Sequence, residues 1–188
     1  APLADLRARL TEEMTGRLPA QESSAPWAQR GSVYRRETLP GTEYDRLLRR
    51  PVAGGDEVVL LDLQAVHDAS GSAYTRDGLL EVSPDGRVLA WSVDLEGDEL
   101  YTMRFRSLDS GDDLDEVIPE TYYGGAWAAD SSAFLYVRCD HAMRPYQVWC
   151  HVLGTPVSDD RLLLEDLDER LEYDFGSTRS GRYAVATL

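Results

Sequence analysis

Residues 82–92 read VSPDGRVLAWS, and this stretch decides the fold because its pattern returns twice along the chain. It recurs as WAADSSAFLYV over residues 127–137 and begins again as STRSGRYAV over residues 177–185. The equivalent turn residues are Asp85, Asp130 and Ser180, which are 45 and 50 residues apart. A period of this length is typical of one four-stranded blade of a β-propeller.

The strand after the repeated turn keeps the same spacing. Residues 101–108 correspond to residues 146–153, again at an offset of 45. The residues of the repeated segment favour a tight turn, because Pro84 presets the first dihedral angle, Asp85 caps the turn and Gly86 takes positive φ. A catalytic role for Asp85 is the alternative, but the position recurs with the repeat. We therefore assign Asp85 to the architecture.

Short apolar runs separated by Gly, Pro, Asp and Ser predict β-strands along most of the chain. The predicted strands are 32–37, 44–49, 58–63, 88–93, 101–108, 134–138, 148–153 and 183–188. Ahead of them, leucines spaced by three and four predict a helix from Pro2 to Leu18, which Gly16 and Pro19 end. The predicted fold class is all-β, a partial propeller of the seven-bladed type with antiparallel four-stranded blades after an N-terminal α-helix.

Two regions follow from this pattern. Residues 1–31 comprise the helix and a turn-rich connector, and residues 32–188 comprise the propeller. The predicted blades span approximately 32–63, 78–118 and 125–165, with the start of another at 173–188. Closed propellers have about four to eight blades, so we expect the propeller in this chain to be incomplete.

Composition excludes some classes of partner. The chain has 34 acidic and 19 basic residues and a formal charge of −15, which opposes binding to nucleic acid. The same charge permits basic peptides as partners, although solubility alone also explains it. No apolar run is long enough to cross a membrane, and residues 1–20 carry Arg and Glu where a signal peptide is apolar. A cytoplasmic protein without membrane association is expected.

The two cysteines do not predict a disulfide framework. Cys139 and Cys150 flank a turn-like run over residues 140–145. A hairpin centred near Met143 places Cys139 opposite Gln147 and Cys150 opposite Tyr136, so the thiols are out of register. We expect free thiols in a reducing compartment.

No catalytic, cofactor-binding or metal-binding residue is predicted. The chain lacks Gly-x-Ser-x-Gly, Cys-x-x-Cys and His-Glu-x-x-His. Structural roles are expected for His67 in a loop, for His151 in a strand and for His141. The acidic turns 94–99 and 109–113 lack the ligand spacing of a calcium loop, and Gly54-Gly55 and Gly124-Gly125 are interpreted as ordinary β-turn glycines.

Aromatic residues fall into two groups. Trp127, Tyr136 and Trp149 occupy repeat positions and are expected to pack between blades. Tyr122 and Tyr123 lie in a strand connection, where fewer packing constraints apply. They are the candidates for contact with a bound peptide or sugar.

Several of these segments resemble a known family. They are residues 82–94, 101–111 and 126–140, and above all PYQVWCHVLGT at 145–155. Residues 33–36, 57–63 and 166–170 add weaker similarity. Together they resemble the propeller of the oligopeptidase B branch of the prolyl oligopeptidase family of serine peptidases.

The resemblance implies a function for the whole protein. Such proteins pair a seven-bladed propeller with a C-terminal α/β-hydrolase domain that holds a Ser-Asp-His triad and cleaves short peptides, in this branch after Arg or Lys. Two features differ from the pattern. Cys150 stands where relatives carry a basic residue, and the chain ends at Leu188, before the remaining blades and the hydrolase domain.

The sequence therefore predicts the gating, substrate-excluding segment of a cytosolic serine oligopeptidase, which is inactive by itself. Two alternatives stay open. A freestanding interaction propeller requires a closed ring, and a propeller glycosidase requires one unique inward-facing acid per blade.

Overall fold

The structure is a computed structural model that describes residues 2–187. The chain forms two compact units that divide after Gln64. Unit 1 contains α1 (Pro2–Thr15), β1 (Glu22–Ser23), β2 (Trp27–Gln29), β3 (Ser32–Thr38), β4 (Arg46–Pro51) and β5 (Val58–Asp62). The division falls inside a second helix, α2 (Leu63–Ser70). The strands of unit 1 form one antiparallel sheet in the order β1-β3-β4-β5, and β2 also pairs with β3.

Unit 2 contains two sheets. The first has four strands in chain order, β6 (Arg76–Val82), β7 (Val88–Asp94), β8 (Tyr101–Ser107) and β9 (Asp113–Thr121). The second has the order β13-β12-β11-β10-β14-β15. Its strands are β10 (Gly125–Trp127), β11 (Ala133–Cys139), β12 (Pro145–Val152), β13 (Arg161–Glu165), β14 (Asp174–Ser177) and β15 (Ala184–Thr187). The prediction of antiparallel sheets after an N-terminal helix is confirmed.

Unit 1 buries one ionised carboxyl group. Glu37 on β3 is 5% exposed, and the guanidinium groups of Arg35 and Arg46 both donate hydrogen bonds to it. Arg35 also donates to Glu57 Oε1 at 2.8 Å. Hydrogen bonds from Arg35, and then from Arg46, lower the pKa of Glu37. This carboxylate therefore stays charged and crosslinks β3 to β4.

The repeat predicted from the sequence is present as three copies of one turn. In each copy the N–H of the first residue donates to the carbonyl oxygen five residues later. The pairs are Ser83–Val88 at 2.8 Å, Ala128–Ala133 at 2.9 Å and Thr178–Tyr183 at 2.9 Å. The fourth residue of each copy has positive φ, at Gly86 (77°), Ser131 (64°) and Gly181 (68°).

The two sheets of unit 2 share one apolar core. Its buried residues are Leu79, Ala90, Met103, Phe105 and Ile118 from the first sheet and Trp127, Phe134 and Tyr136 from the second. Phe105 packs edge-to-face on Trp127 and on Phe134, with ring centroids 6.0 Å apart in both cases. Trp149 packs against this core from its margin. The predicted packing of Trp127, Tyr136 and Trp149 between neighbouring sheets is confirmed.

Some local predictions were wrong at helix boundaries. Helix α1 ends at Thr15 and not at Leu18, because the backbone tightens to three-residue hydrogen bonds after Gly16. His67 lies in α2 and not in a loop, and its Nδ1 is 2.9 Å from Thr75 Oγ1. An eight-residue helix is too short to show a helical period beside the apolar strand before it.

Several strands were not predicted. Gly78 interrupts the apolar pattern of β6, and Pro119 and four acidic residues interrupt that of β9. The connector at 20–31 contains β1 and β2, which both pair with β3. The predicted strand at 183–188 corresponds to β15, and Leu188 lies outside the described residues.

The predicted cysteine register was also wrong. Cys150 lies opposite Leu135, and a bulge after Arg138 places Cys139 opposite Pro145. Both thiols are free, and Cys150 is buried. Burial raises the pKa of the Cys139 thiol to about 12, so this group remains protonated near neutral pH.

Replacing Gly86 by alanine tests the turn geometry. Because φ at Gly86 is 77°, the added Cβ strains the backbone and lowers the local free energy of opening by about 1 kcal/mol. Native-state hydrogen exchange of the amides in β6 and β7 measures this change. The matched control is Gly176→Ala, where φ is not positive and no atom lies within 4 Å of the new Cβ. Equal changes in the two variants contradict the role of the turn.

Candidate functional site

Four links between strands lie at one end of unit 2. The start of β8 pairs with the end of β9. Residues 122–124 then connect the end of β9 to the start of β10. The antiparallel order places the links 95–100, 140–144 and 166–173 at the same end. We call it the tyrosine end, after Tyr122 and Tyr123 in the shortest link.

A cluster of tyrosines occupies this end. Tyr101 Oη donates to Tyr123 Oη at 2.5 Å, and the rings of Tyr122 and Tyr123 meet edge-to-face at 4.9 Å. The guanidinium carbon of Arg76 lies 6.0 Å from the centre of the Tyr123 ring. Tyr101 is fully buried, whereas Tyr122 and Tyr123 are half-buried. The two candidate contact residues therefore present part of their aromatic surface to solvent.

Burial keeps two of these phenols protonated. Burial, and then the hydrogen bond with Tyr123, raises the pKa of Tyr101. Burial also raises the pKa of Tyr122. Neither phenol serves as a base at neutral pH, so the cluster offers aromatic faces and neutral hydroxyl groups for binding.

Glycines make room for the cluster and its supporting strands. A Cβ at Gly78 would lie 2.6 Å from Tyr101 Cδ1, so Tyr101 packs directly over the backbone of β6. Gly124 has a φ of +90°, and a Cβ there would lie 2.4 Å from the carbonyl oxygen of Phe175. Gly125 is the buried first residue of β10 and not part of a turn. The interpretation of Gly124-Gly125 as ordinary turn glycines was therefore wrong, because close packing requires both.

The links at the tyrosine end are strongly acidic. They contain eight carboxylates and two arginines, at Glu96, Asp98, Glu99, Asp140, Asp166, Asp168, Glu169, Glu172, Arg144 and Arg170. The links at the opposite end, 83–87, 108–112, 128–132, 153–160 and 178–183, contain six carboxylates and three arginines. The formal charges are thus −6 and −3. The tyrosine end carries the stronger attraction for cationic ligands.

The link at 95–100 is folded by the side chain of Asp94. This buried carboxylate accepts hydrogen bonds from the backbone N–H groups of Glu96 and Gly97, both at 2.8 Å, and of Glu99 at 3.0 Å. Asp94 thus fixes the backbone conformation of this link. Within residues 2–187, no three His, Cys, Asp or Glu side chains form a potential metal site.

Arg144 organises the link at 166–173. Its guanidinium donates to the carbonyl oxygens of Leu171 at 2.9 Å, Asp166 at 3.2 Å and Asp168 at 3.3 Å. It also donates to Asp140 Oδ2 at 2.9 Å. One arginine thus joins two acidic links and neutralises part of their repulsion.

Other acidic positions and His151 contact neighbouring side chains. In the turn at 109–113, Asp109 pairs with Arg87 and Asp113 pairs with Arg106. His151 is fully buried on β12, where Nδ1 lies 2.7 Å from Asp160 Oδ1 and the ring stacks on Phe105. Tyr136 Oη donates to the other oxygen of Asp160 at 2.9 Å. Among residues 2–187 the buried Nε2 of His151 has no hydrogen-bond partner, so a structural role for His151 stays a prediction. His141 lies in the link at 140–144.

Replacing Arg144 by methionine tests this organisation. The variant loses four hydrogen bonds to partly exposed acceptors, which destabilises the link by about 2 kcal/mol. Hydrogen exchange of the amides at 166–173 in the full-length protein should therefore accelerate. Arg170→Met is the control, because Arg170 is exposed and its ion pair is with the neighbouring Asp168, and it should change little. Exchange that is unchanged in Arg144→Met contradicts the role of Arg144.

Sequence comparisons identify the family. The family model described as "Prolyl oligopeptidase, N-terminal beta-propeller domain" matches residues 1–187. Dipeptidyl aminopeptidase BI of Pseudoxanthomonas mexicana is 32% identical over 205 residues, covering 100% of this chain and 28% of the relative. Protease 2 of Moraxella lacunata is 26% identical over 191 residues, covering 97% of this chain and 27% of the relative.

Solved structures show the same fold. Oligopeptidase B from Trypanosoma brucei matches with a TM-score of 0.86 and 26% identity, over 97% of this chain and 26% of that chain. Oligopeptidase B from Leishmania major matches with a TM-score of 0.87 and 23% identity, over 94% of this chain and 25% of that chain. The chain spans 24–28% of the length of the curated relatives it matches.

The comparisons confirm the partial propeller and the resemblance to oligopeptidase B. A membrane-spanning helix is not found among residues 2–187. The chain belongs to the N-terminal β-propeller domain family of the prolyl oligopeptidases.

Proposed function

We propose that this chain is the gating part of a cytoplasmic serine oligopeptidase that cleaves short peptides after Arg or Lys. The observation that carries the proposal is the family match over residues 1–187. The similarity to Protease 2 and to oligopeptidase B from Trypanosoma brucei supports the choice of branch. The acidic tyrosine end supports a preference for basic peptides.

The catalytic partner in this proposal is a C-terminal α/β-hydrolase domain of the same protein. Residues 1–188 contain no Gly-x-Ser-x-Gly sequence, so this chain does not supply the nucleophile elbow. In this proposal the chain supplies blades of the propeller at residues 32–63, 78–118, 125–165 and 173–188. Together with further blades they form a ring that excludes folded proteins by size.

The tyrosine end draws basic peptides toward the active site. A surface with a formal charge of −6 on its links raises the local concentration of cationic ligands before contact. The exposed parts of Tyr122 and Tyr123 then provide aromatic surface for an incoming chain, and a Lys or Arg side chain gains further energy over a ring face. The propeller thus selects by size and by charge, and the hydrolase domain performs the chemistry.

Charge reversal tests this steering in the full-length protein. Glu96 and Glu169 are exposed carboxylates of the tyrosine end, and the double variant Glu96→Lys with Glu169→Lys repels basic peptides. We expect kcat/KM for short Arg-containing peptides to fall about threefold to tenfold at low ionic strength. The difference should shrink at about 1 M salt, where the screening length is about 3 Å.

The control for this test is the double variant Asp112→Lys with Asp159→Lys. Both carboxylates are exposed at the opposite end of unit 2, so the change in net charge is the same. The control should keep kcat/KM close to that of the unmodified protein. An equal fall in both variants contradicts steering by the tyrosine end.

An assay of the isolated chain tests whether catalysis requires the hydrolase domain. Purified residues 1–188 should not hydrolyse chromogenic peptides that end in Arg, because the catalytic serine, aspartate and histidine lie outside this chain. The full-length protein in the same assay is the positive control. Turnover by residues 1–188 that a serine-directed inhibitor abolishes contradicts the proposal.

A further inference from the structure

An open cleft runs beside the outer edge of the first sheet in unit 2. It has a volume of 880 Å³ and lies between residues 113–117 of β9 and the link at 153–157. Strand β9 is the last strand of its sheet, so its edge away from β8 pairs with no strand in the described chain. The cleft therefore follows a free strand edge.

The cleft combines an apolar floor with an acidic rim. Leu114, Leu153 and Val157 line it and pack against the core shared by the two sheets. Asp115 is exposed on the rim, and Glu116 accepts a hydrogen bond from the Gly154 N–H at 2.6 Å. The residues that line the cleft include three acidic side chains and no basic one. Its chemistry therefore complements a ligand with both apolar and cationic groups.

The backbone of β9 determines how such a ligand binds. The edge of β9 that faces away from β8 presents N–H and C=O groups, and an extended peptide pairs with such groups as an added strand. The register with β8 shifts between Asp113 and Val117, so β9 is bulged there and the spacing of these groups is irregular. Pro119 has no N–H and ends this free edge at Ile118. Residues 113–118, including this bulge, form the edge that is available for pairing.

We propose that this cleft binds an extended segment of a partner protein in which Lys or Arg alternates with apolar residues. Because side chains alternate between the two faces of a strand, the apolar residues contact Leu114 and Val157 while the cationic residues approach Asp115. This interaction does not depend on peptide cleavage. It adds a recruitment surface to a chain whose proposed function is gating.

A binding measurement on the full-length protein tests the proposal. The probe is an end-blocked, fluorescein-labelled peptide of alternating Lys and Val, followed by fluorescence anisotropy. The protein is first inactivated with an irreversible serine-peptidase inhibitor, so cleavage does not alter the probe. We expect Asp115→Lys to weaken binding about tenfold, because like charges then face each other.

Asp56→Lys is the matched control, because it reverses an exposed carboxylate of unit 1 that belongs neither to this cleft nor to the tyrosine end, and it should leave the affinity unchanged. Equal loss in both variants, or no loss in Asp115→Lys, overturns the proposal. The first result means that the probe responds to net charge alone. Both variants lie on the surface, and their unfolding temperatures confirm that they remain folded.

A second probe tests strand pairing separately from charge. The same peptide with N-methyl groups on alternate residues keeps every positive charge but loses the donors along one edge. We expect it to bind at least tenfold more weakly, and we expect the unmodified probe to slow hydrogen exchange at residues 113–118. Equal binding of the two probes, or protection confined to another segment, contradicts addition of a strand to β9.

Discussion

The shared core of unit 2 is the constraint on which the rest of the structure depends. Strand β7 is buried at every residue except Val88, so a single sheet in water would expose apolar side chains on both faces. The second sheet covers one of these faces through Trp127, Phe134 and Tyr136. Trp127 also donates a hydrogen bond to the carbonyl oxygen of Glu81 on β6, at 2.9 Å, which fixes the register between the sheets. The apolar residues on both faces of β7 therefore require a second sheet to cover them.

Stacking of the two sheets places the repeated turns at one end of unit 2 and the proposed binding surface at the other. The repeated turns occupy one end of the sheets, where Ser131 Oγ accepts a hydrogen bond from the Asp85 N–H and ties two copies together. The opposite end is free of this repeat, and its links differ in length and carry more acidic residues. Asp94 and Arg144 satisfy backbone groups of these links, and the five glutamate and aspartate side chains of Glu96, Asp98, Glu99, Glu169 and Glu172 remain exposed. The tyrosine end thus concentrates negative charge beside aromatic rings.

The features that repeat along the chain were predictable from the sequence, whereas those that occur once were not. The turn at Asp85 was predictable because its chemistry returns at Asp130 and Ser180, and the core positions of Trp127 and Tyr136 followed from the same spacing. The hydrogen bonds of Arg144 join residues 22 to 27 positions apart, and no local pattern indicates them. The same holds for Gly78 and Gly125, because only the folded chain brings the rings of Tyr101 and Phe134 against their backbones. The link at Tyr122 and Tyr123 was found as a candidate by elimination, since these aromatics stand outside the repeat.

The most direct test is an experimental structure of the full-length protein with an arginine-ended peptide inhibitor bound at its catalytic serine. We expect the links 95–100, 122–124, 140–144 and 166–173 to face the route to this serine, with Tyr122 or Tyr123 exposed along it. A structure in which the repeated turns near Asp85 and Asp130 line that route, with the tyrosine end facing bulk solvent, would contradict it.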